Sequence, residues 1–134
     1  MSGQFTFFFN IIGSIQYYIL MKETKLATSY LDKFSTLIRT TLDFSDEKEV
    51  SLYDEISYLI QYIEIENLRK QPTVTFECEI AEGLDITQIQ VVPMLLQSFV
   101  ENSLIHAFPP SVASPKILLK VQRKGLTNFI RTFR

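Results

Sequence analysis

The stretch VVPMLLQSFVENSLIHA, Val91 to Ala107, decides how the rest of the chain is read. Pro93 suits the first turn of a helix, where its missing N–H would go unpaired anyway. Met94, Leu95, Phe99, Leu104 and Ile105 are apolar, and Gln97, Ser98, Glu101, Asn102 and His106 interrupt them. Positions 98, 102 and 106 recur every four residues with 101 beside them, so they share one helix face. A greasy helix with a Ser/Glu/Asn/His stripe is either amphipathic or holds a polar ligand.

Working outward, the pattern is helix, helix, helix, strand, the organising helix, strand. Residues 5–21 read as a helix with Phe8, Ile11, Ile12, Ile15, Tyr18 and Ile19 on one side. Residues 25–43 repeat Ala27, Tyr30, Leu31, Phe34, Leu37, Ile38, Thr41 and Leu42 at helical spacing. The polar corner Lys22-Glu23-Thr24 between them makes an antiparallel hairpin of the pair. After a charged connector, Ser51 is a candidate N-cap, and Asp54 and Glu55 in the first turn suit the helix dipole. Leu52, Ile56, Leu59, Ile60 and Ile63 give that third helix its apolar face, and Pro72 stops it beyond Arg69.

Val74, Phe76, Cys78 and Ile80 alternate with Thr75, Glu77 and Glu79 as a half-buried strand, and Gly83 marks a turn. Phe108-Pro109-Pro110 ends the organising helix, and residues 111–115 form a loop. Ile117, Leu119 and Val121 then alternate as a second strand. Beyond Gly125 the pattern fits either a third strand or a frayed end.

Composition narrows the function classes. A chain of 134 residues with 46% hydrophobic content can fill a core. One cysteine, Cys78, excludes an internal disulfide and a cysteine-based zinc site, and it reads as a small buried hydrophobe. Four scattered glycines make neither a P-loop nor a GxGxxG turn. Net charge is −2, divided unevenly: residues 102–134 carry six basic and no acidic residues, and the first 101 carry the remaining 7 basic and all 15 acidic ones. The basic tail fits phosphate recognition or, more simply, a solvated sheet edge. The uncharged residues 1–21 raise the question of a membrane span, but Gln4, Asn10, Ser14 and Gln16 argue for an amphipathic helix.

At Gln97, Glu101, Asn102 and His106 the chain resembles the N-box of the GHKL ATPase superfamily, and the phrase from Val92 to His106 resembles the LytS-like sensor histidine kinases. Phe7-Phe8-Phe9-Asn10 with Ile15-Gln16 is similar to the start of that family's first dimerisation helix, and Leu37-Ile38-Arg39 with Leu42 to its second. Ser51-Leu52, Glu55, Tyr62 to Glu66 and Arg69 are similar to the helix entering the ATPase domain. The resemblance spans roughly residues 4–122. It implies an α+β chain with an N-terminal helical hairpin (1–50), which dimerises through residues 5–43, and a truncated GHKL-type α/β sandwich (51–134). It also implies the cytoplasmic portion of a protein anchored in the inner membrane, with a response regulator as partner and no nucleic acid.

By the same resemblance, Asn102 is the Mg²⁺ ligand beside the ATP phosphates, hard cations preferring oxygen; otherwise it is a polar residue on an exposed face. Glu101 lies beside the metal or is a surface carboxylate. His106 approaches a phosphate or caps the helix end. Gln97 lines the site or serves packing. Arg39, Glu66 and Arg69 fit the family pattern, and salt bridges account for them equally well.

Two departures stand out. Thr6 occupies the position of the phosphoacceptor histidine, and a hydroxyl without an adjacent base is a poor nucleophile. No Asp-x-Gly-x-Gly segment or glycine-rich ATP lid follows the second ATPase strand, so weak or absent ATP and Mg²⁺ binding is expected. The chain therefore reads as a fragment or degenerate form of a two-component sensor kinase. The alternatives are a non-catalytic dimerisation module and, more remotely, a membrane anchor in residues 5–21.

Overall fold

The computed structural model describes residues 3–69, 73–102, 116–124 and 127–133; of the side chains of residues 3–6, 69, 102, 124 and 127–133 only the backbone placement is described. Helix α1 (Gly3–Leu20) and helix α2 (Thr24–Ser45) form the hairpin expected from their periods. The corner closes where Lys22 takes a left-handed φ of 62°. The Glu23 N–H then reaches back to the Tyr18 carbonyl (2.8 Å), and the Lys22 N–H to Ile19 (3.0 Å), which satisfies the last carbonyls of α1. Tyr18 stacks on Tyr30 at 5.6 Å near the corner, and Phe8 meets Phe34 edge-on at 5.7 Å further along, so the helices run antiparallel.

The faces of the hairpin differ in part from the periodic reading. Phe7, Ile11, Ala27, Tyr30, Leu37 and Phe44 are buried, whereas Ile12, Ile19, Leu31 and Leu42 are exposed. Both helices carry apolar residues over more than one face. Packing against a third helix selects the stripe through Phe7 and Ile11 and leaves its neighbours outside.

That third helix, α3 (Leu52–Arg69), follows the short strand β1 (Val50–Ser51). Its first turn leaves no donor unpaired among Leu52, Tyr53 and Asp54. Ser51 Oγ accepts the Asp54 N–H at 3.0 Å, the cap expected from the sequence. The Leu52 and Tyr53 N–H groups donate to the carbonyls of Ile89 (2.7 Å) and Ile86 (3.1 Å) in the following loop. Leu52, Ile56, Tyr58, Leu59, Tyr62, Ile63 and Ile65 are buried, while Ile60, expected inside, is exposed. Glu55 does not sit in solvent near the dipole of its own helix: it is 1% exposed and turned to another element.

Strand β2 (Thr75–Ile80) pairs parallel with β4 (Lys116–Lys124), and β4 pairs antiparallel with β5 (Thr127–Phe133), giving the order β2-β4-β5. The segment beyond Gly125 is thus a third strand. Phe76 faces Ile117, Cys78 faces Leu119 and Ile80 faces Val121 in register. Ile117, Leu119 and Val121 are fully buried and join one hydrophobic cluster with the helices. Glu77 meets Lys116 at 3.0 Å and Glu79 meets Lys120 at 4.0 Å on the exposed side, so part of the basic tail answers the acids of β2.

The short strand β3 (Gln90–Val91) pairs antiparallel with β1 and delivers the chain into helix α4 (Leu95–Asn102). Gly83 takes the positive φ (86°) that its turn requires. The helix stop at Pro72, the end of the organising helix at Phe108-Pro109-Pro110 and the loop 111–115 lie outside the described residues.

Asn67 joins α3 to the sheet. Its side-chain amide donates to the Val74 carbonyl and its Oδ1 accepts the Val74 N–H, both at 2.8 Å, in the manner of a strand partner. Asn67→Ala is expected to destabilise the chain by about 2 kcal/mol, two half-buried hydrogen bonds lost with their backbone partners left unpaired. Asn67→Asp, which keeps only the acceptor, is expected to cost less. Urea unfolding of the three proteins checks the order.

Candidate functional site

Helix α4 is held from its N-terminal end. The first N–H groups of any helix lack intrahelical partners, and the helix dipole favours an anion there. Glu55 of α3 supplies one. Its Oε1 accepts the Met94 N–H at 3.0 Å, its Oε2 accepts the Leu96 N–H at 2.8 Å, and the Gln97 N–H also bonds to the carboxylate. Burial pushes the Glu55 carboxyl above its ordinary range, and the three backbone donors pull it back part of the way.

Pro93 precedes the helix rather than opening it, since α4 begins at Leu95 and Met94 stands in the left-handed region at φ 72°. That turn directs the Met94 N–H at Glu55. A proline at N1 would have given a regular first turn instead. The difference is set by a carboxylate some forty residues away in sequence, out of reach of any local reading.

The stripe of α4 splits into two directions. Ser98 is exposed and its hydroxyl donates to the Met94 carbonyl of its own helix at 3.1 Å. Gln97 is 4% exposed, and Glu101 is half-buried on the same inward side, one turn on. They meet Tyr62 and Glu66 of α3. The Tyr62 hydroxyl lies 3.5 Å from Glu66 Oε2, and hydrogen bonds from the Tyr62 and Gln97 side chains reach Glu101. Glu101 Oε2 and Gln97 Oε1 are buried without a hydrogen-bond partner among the described residues. Burial is the largest influence raising the Glu101 carboxyl, with the Glu66 charge adding to it and the two side-chain hydrogen bonds opposing it.

Asn102 is the last residue of α4, one position beyond Glu101; its side chain and His106 lie outside the described residues. Thr6 falls within α1 with its side chain likewise outside them, next to Phe7, whose ring packs tilted against Tyr62 at 4.3 Å. Tyr62 therefore touches both the neighbour of Thr6 and the face of α4. Arg39 is exposed on α2, and Glu66 is buried with its Oε2 near the Tyr62 hydroxyl. Among the described residues no group of three or more His, Cys, Asp or Glu is placed to hold a metal, and no helix is long and apolar enough to cross a membrane.

Two clefts lie against the end of α2, the first beside the turn that leads into α4 and the second beside β1 and the start of α3. One, of about 350 Å³, is bordered by Thr41, Phe44, Lys48 and the turn 92–94. The other, of about 550 Å³, carries Asp43, Glu47, Glu49 and Asp54. Sequence reading placed Glu55 and Tyr62 on the third helix without their partners on α4, and it missed Asn67. Their polar atoms sit on an otherwise buried helix, which is the one local signal that could have singled them out.

The helical arrangement and its joining segment match a known profile, histidine kinase, over residues 6–74, just over half of the chain. The chain belongs to the histidine kinase family. It is 31% identical over 119 residues to the sensor protein LytS of Streptococcus agalactiae, covering 89% of this chain and 20% of the relative. It is 28% identical over 120 residues to the sensor protein kinase HptS of Staphylococcus aureus, covering 90% of this chain and 22% of the relative. The family member described here spans about a fifth of the length of these curated relatives, and its likeness is to LytS-like sensor histidine kinases.

Glu101 gives a pH prediction for this kinase-family chain. Its carboxyl is raised in the folded state, so folding favours the protonated form. Stability from this group is present below the ordinary carboxylate pKa, about 4.3, and is lost as pH climbs through the raised value. Glu101→Gln, neutral and of the same shape, is expected to flatten the decline in stability above pH 4.5 and to be the more stable protein at pH 7. Chemical unfolding at half-unit steps from pH 4 to 7 measures both slopes. The residual decline in the variant belongs to Glu55.

Proposed function

We propose that the chain is the dimerisation hairpin and the N-terminal part of a GHKL-type ATPase domain from a two-component sensor kinase, degenerate at its acceptor position. The division falls near residue 50, with 1–50 as the hairpin and 51–134 as the ATPase portion. The observation that carries the reading is the family match running through the hairpin and α3, followed by a short, firmly capped helix with Glu101 and Asn102 at its end.

In this reading Asn102 would hold Mg²⁺ through its side-chain oxygen, and His106 would serve the phosphates. Gln97 and Glu101, turned towards α3, orient the helix behind them. Bound MgATP supplies the phosphoryl group. The chain's own share is to position it and to offset its charge. At the acceptor position the family's imidazole attacks directly, whereas Thr6 would have to lose its proton to a base. Transfer to this chain, and onward to a response regulator, stops there.

A second reading has its own observation. Phe9, Ile12, Ile19 and Leu20 of α1 and Leu31 and Leu42 of α2 are exposed, so the hairpin carries uncovered apolar surface suited to a second copy. A non-catalytic dimerisation module would need nothing more. Titration of ATP with and without Mg²⁺ separates the two. Weak binding, at about millimolar, that requires Mg²⁺ and disappears in Asn102→Ala supports the ATPase reading. Absence of binding, with a dimer in sedimentation, leaves the module.

A further inference from the structure

Helix α3 presents different polar groups to different neighbours within a few turns. Tyr58 Oη lies 2.7 Å from Thr41 Oγ1 of α2, and its ring packs on Phe44 at 5.4 Å. Three residues earlier, about one turn, Glu55 holds the Met94, Leu96 and Gln97 N–H groups. Tyr58 and Glu55 are each 1% exposed, so neither can exchange its protein partner for water without the interior opening. Unmaking such a contact removes a hydrogen bond from the interior, which is costlier than losing one at the surface.

A displacement of α2 is therefore carried by Thr41 and Phe44 to Tyr58, and along one rigid helical turn to the carboxylate that fixes α4. The left-handed Met94 adds to this arrangement. That conformation is strained for a methionine, and the hydrogen bond from its N–H to Glu55 helps to hold it. If Glu55 withdraws, the turn 92–94 is free to relax, and the start of the helix moves with it.

We infer that Glu55 is the positioning residue of α4 and that, through Tyr58 and Thr41, it ties the placement of this helix to that of the dimerisation hairpin. The inference deepens the ATPase reading, since it gives the hairpin a route by which to set the helix carrying Asn102. It concerns α4 itself and needs no nucleotide to be tested.

Amide hydrogen exchange on the full chain supplies the readout. Glu55→Ala is expected to lower the protection of the Met94, Leu96 and Gln97 amides by tenfold or more, and Glu55→Gln, which keeps one acceptor oxygen, by roughly half of that on a logarithmic scale. Amides in the middle of α3 should stay within about twofold in Glu55→Gln, the variant to be used if Glu55→Ala does not fold. Thr41→Val should lower protection at 94–97 by a few-fold in the otherwise unaltered chain, and by nothing further once Glu55 has been replaced.

Effects of Thr41→Val that simply multiply with those of Glu55→Gln would overturn the coupling. Unchanged protection at 94–97 in both Glu55 variants would overturn the positioning role itself. Loss of Mg²⁺-dependent ATP binding in Asn102→Ala reports only on the nucleotide reading, so failure of one does not pass for failure of the other.

Discussion

A carboxylate removed from water is among the costliest things a small domain can contain, and Glu55 is such a group. Its cost is offset by arrangement. Three backbone N–H groups at the start of α4, from Met94, Leu96 and Gln97, converge on it, and each of them would be an orphan donor without it. The pairing is charge-assisted and roughly parallel to the helix dipole, which adds to each bond. Neither side is satisfied alone: α4 would begin with unpaired donors, and α3 would carry a buried unpaired charge. Mutual need of this kind fixes two elements that are far apart in sequence.

The same logic recurs along α3. At its start, Ser51 and the carbonyls of Ile86 and Ile89 close the first turn, and in doing so they fold the loop after β2 back over the helix. In its middle, Tyr58 and Tyr62 bury their rings against Phe44 and Phe7 and send their hydroxyls to polar partners. Near its end, Asn67 holds Val74 as a neighbouring strand would. The apolar cluster provides most of the stabilisation but little direction, since hydrophobic burial is non-directional. These few polar anchors decide which way each neighbour lies.

Local signals in the sequence marked the elements well. The period of 25–43, the Ser51 cap, the alternation in 73–80 and from Ile117 to Val121, and the turn at Gly83 each depend on residues close in the chain, and each falls on an element or turn of the structure, within a few residues of its ends. Faces were less legible. Ile12, Ile19, Leu31 and Leu42 satisfy a helical period as well as their buried neighbours do, and only the position of α3 distinguishes them. The stripe of α4 failed in the same way: a helix wheel groups Ser98 with Asn102 but cannot say that Gln97 and Glu101 turn inward to Tyr62. Glu55 was legible as an acid in a first turn and illegible as the cap of a different helix. Whether residues 51–134 belong to a GHKL sandwich rests on the resemblance, because the observed α+β arrangement of helices against a small sheet is shared by other folds.

Helix α4 is unequally held along its length. At Met94 and Leu96 every donor that Glu55 can reach is paired at 3.0 Å or less. Up to two turns later, Gln97 and Glu101 each bury an oxygen without a partner among the described residues, and Glu66 brings a second carboxylate towards Glu101. Like charges in a poorly hydrated seam repel more strongly than they would in water. The helix is thus anchored firmly at its N-terminus and only loosely against α3 where Asn102 follows. A cation or a proton entering the seam at Glu101 would tighten that end, while the Glu55 anchor would not change. The residues that the family resemblance places at the nucleotide therefore stand at the end of the helix whose packing is most responsive to charge.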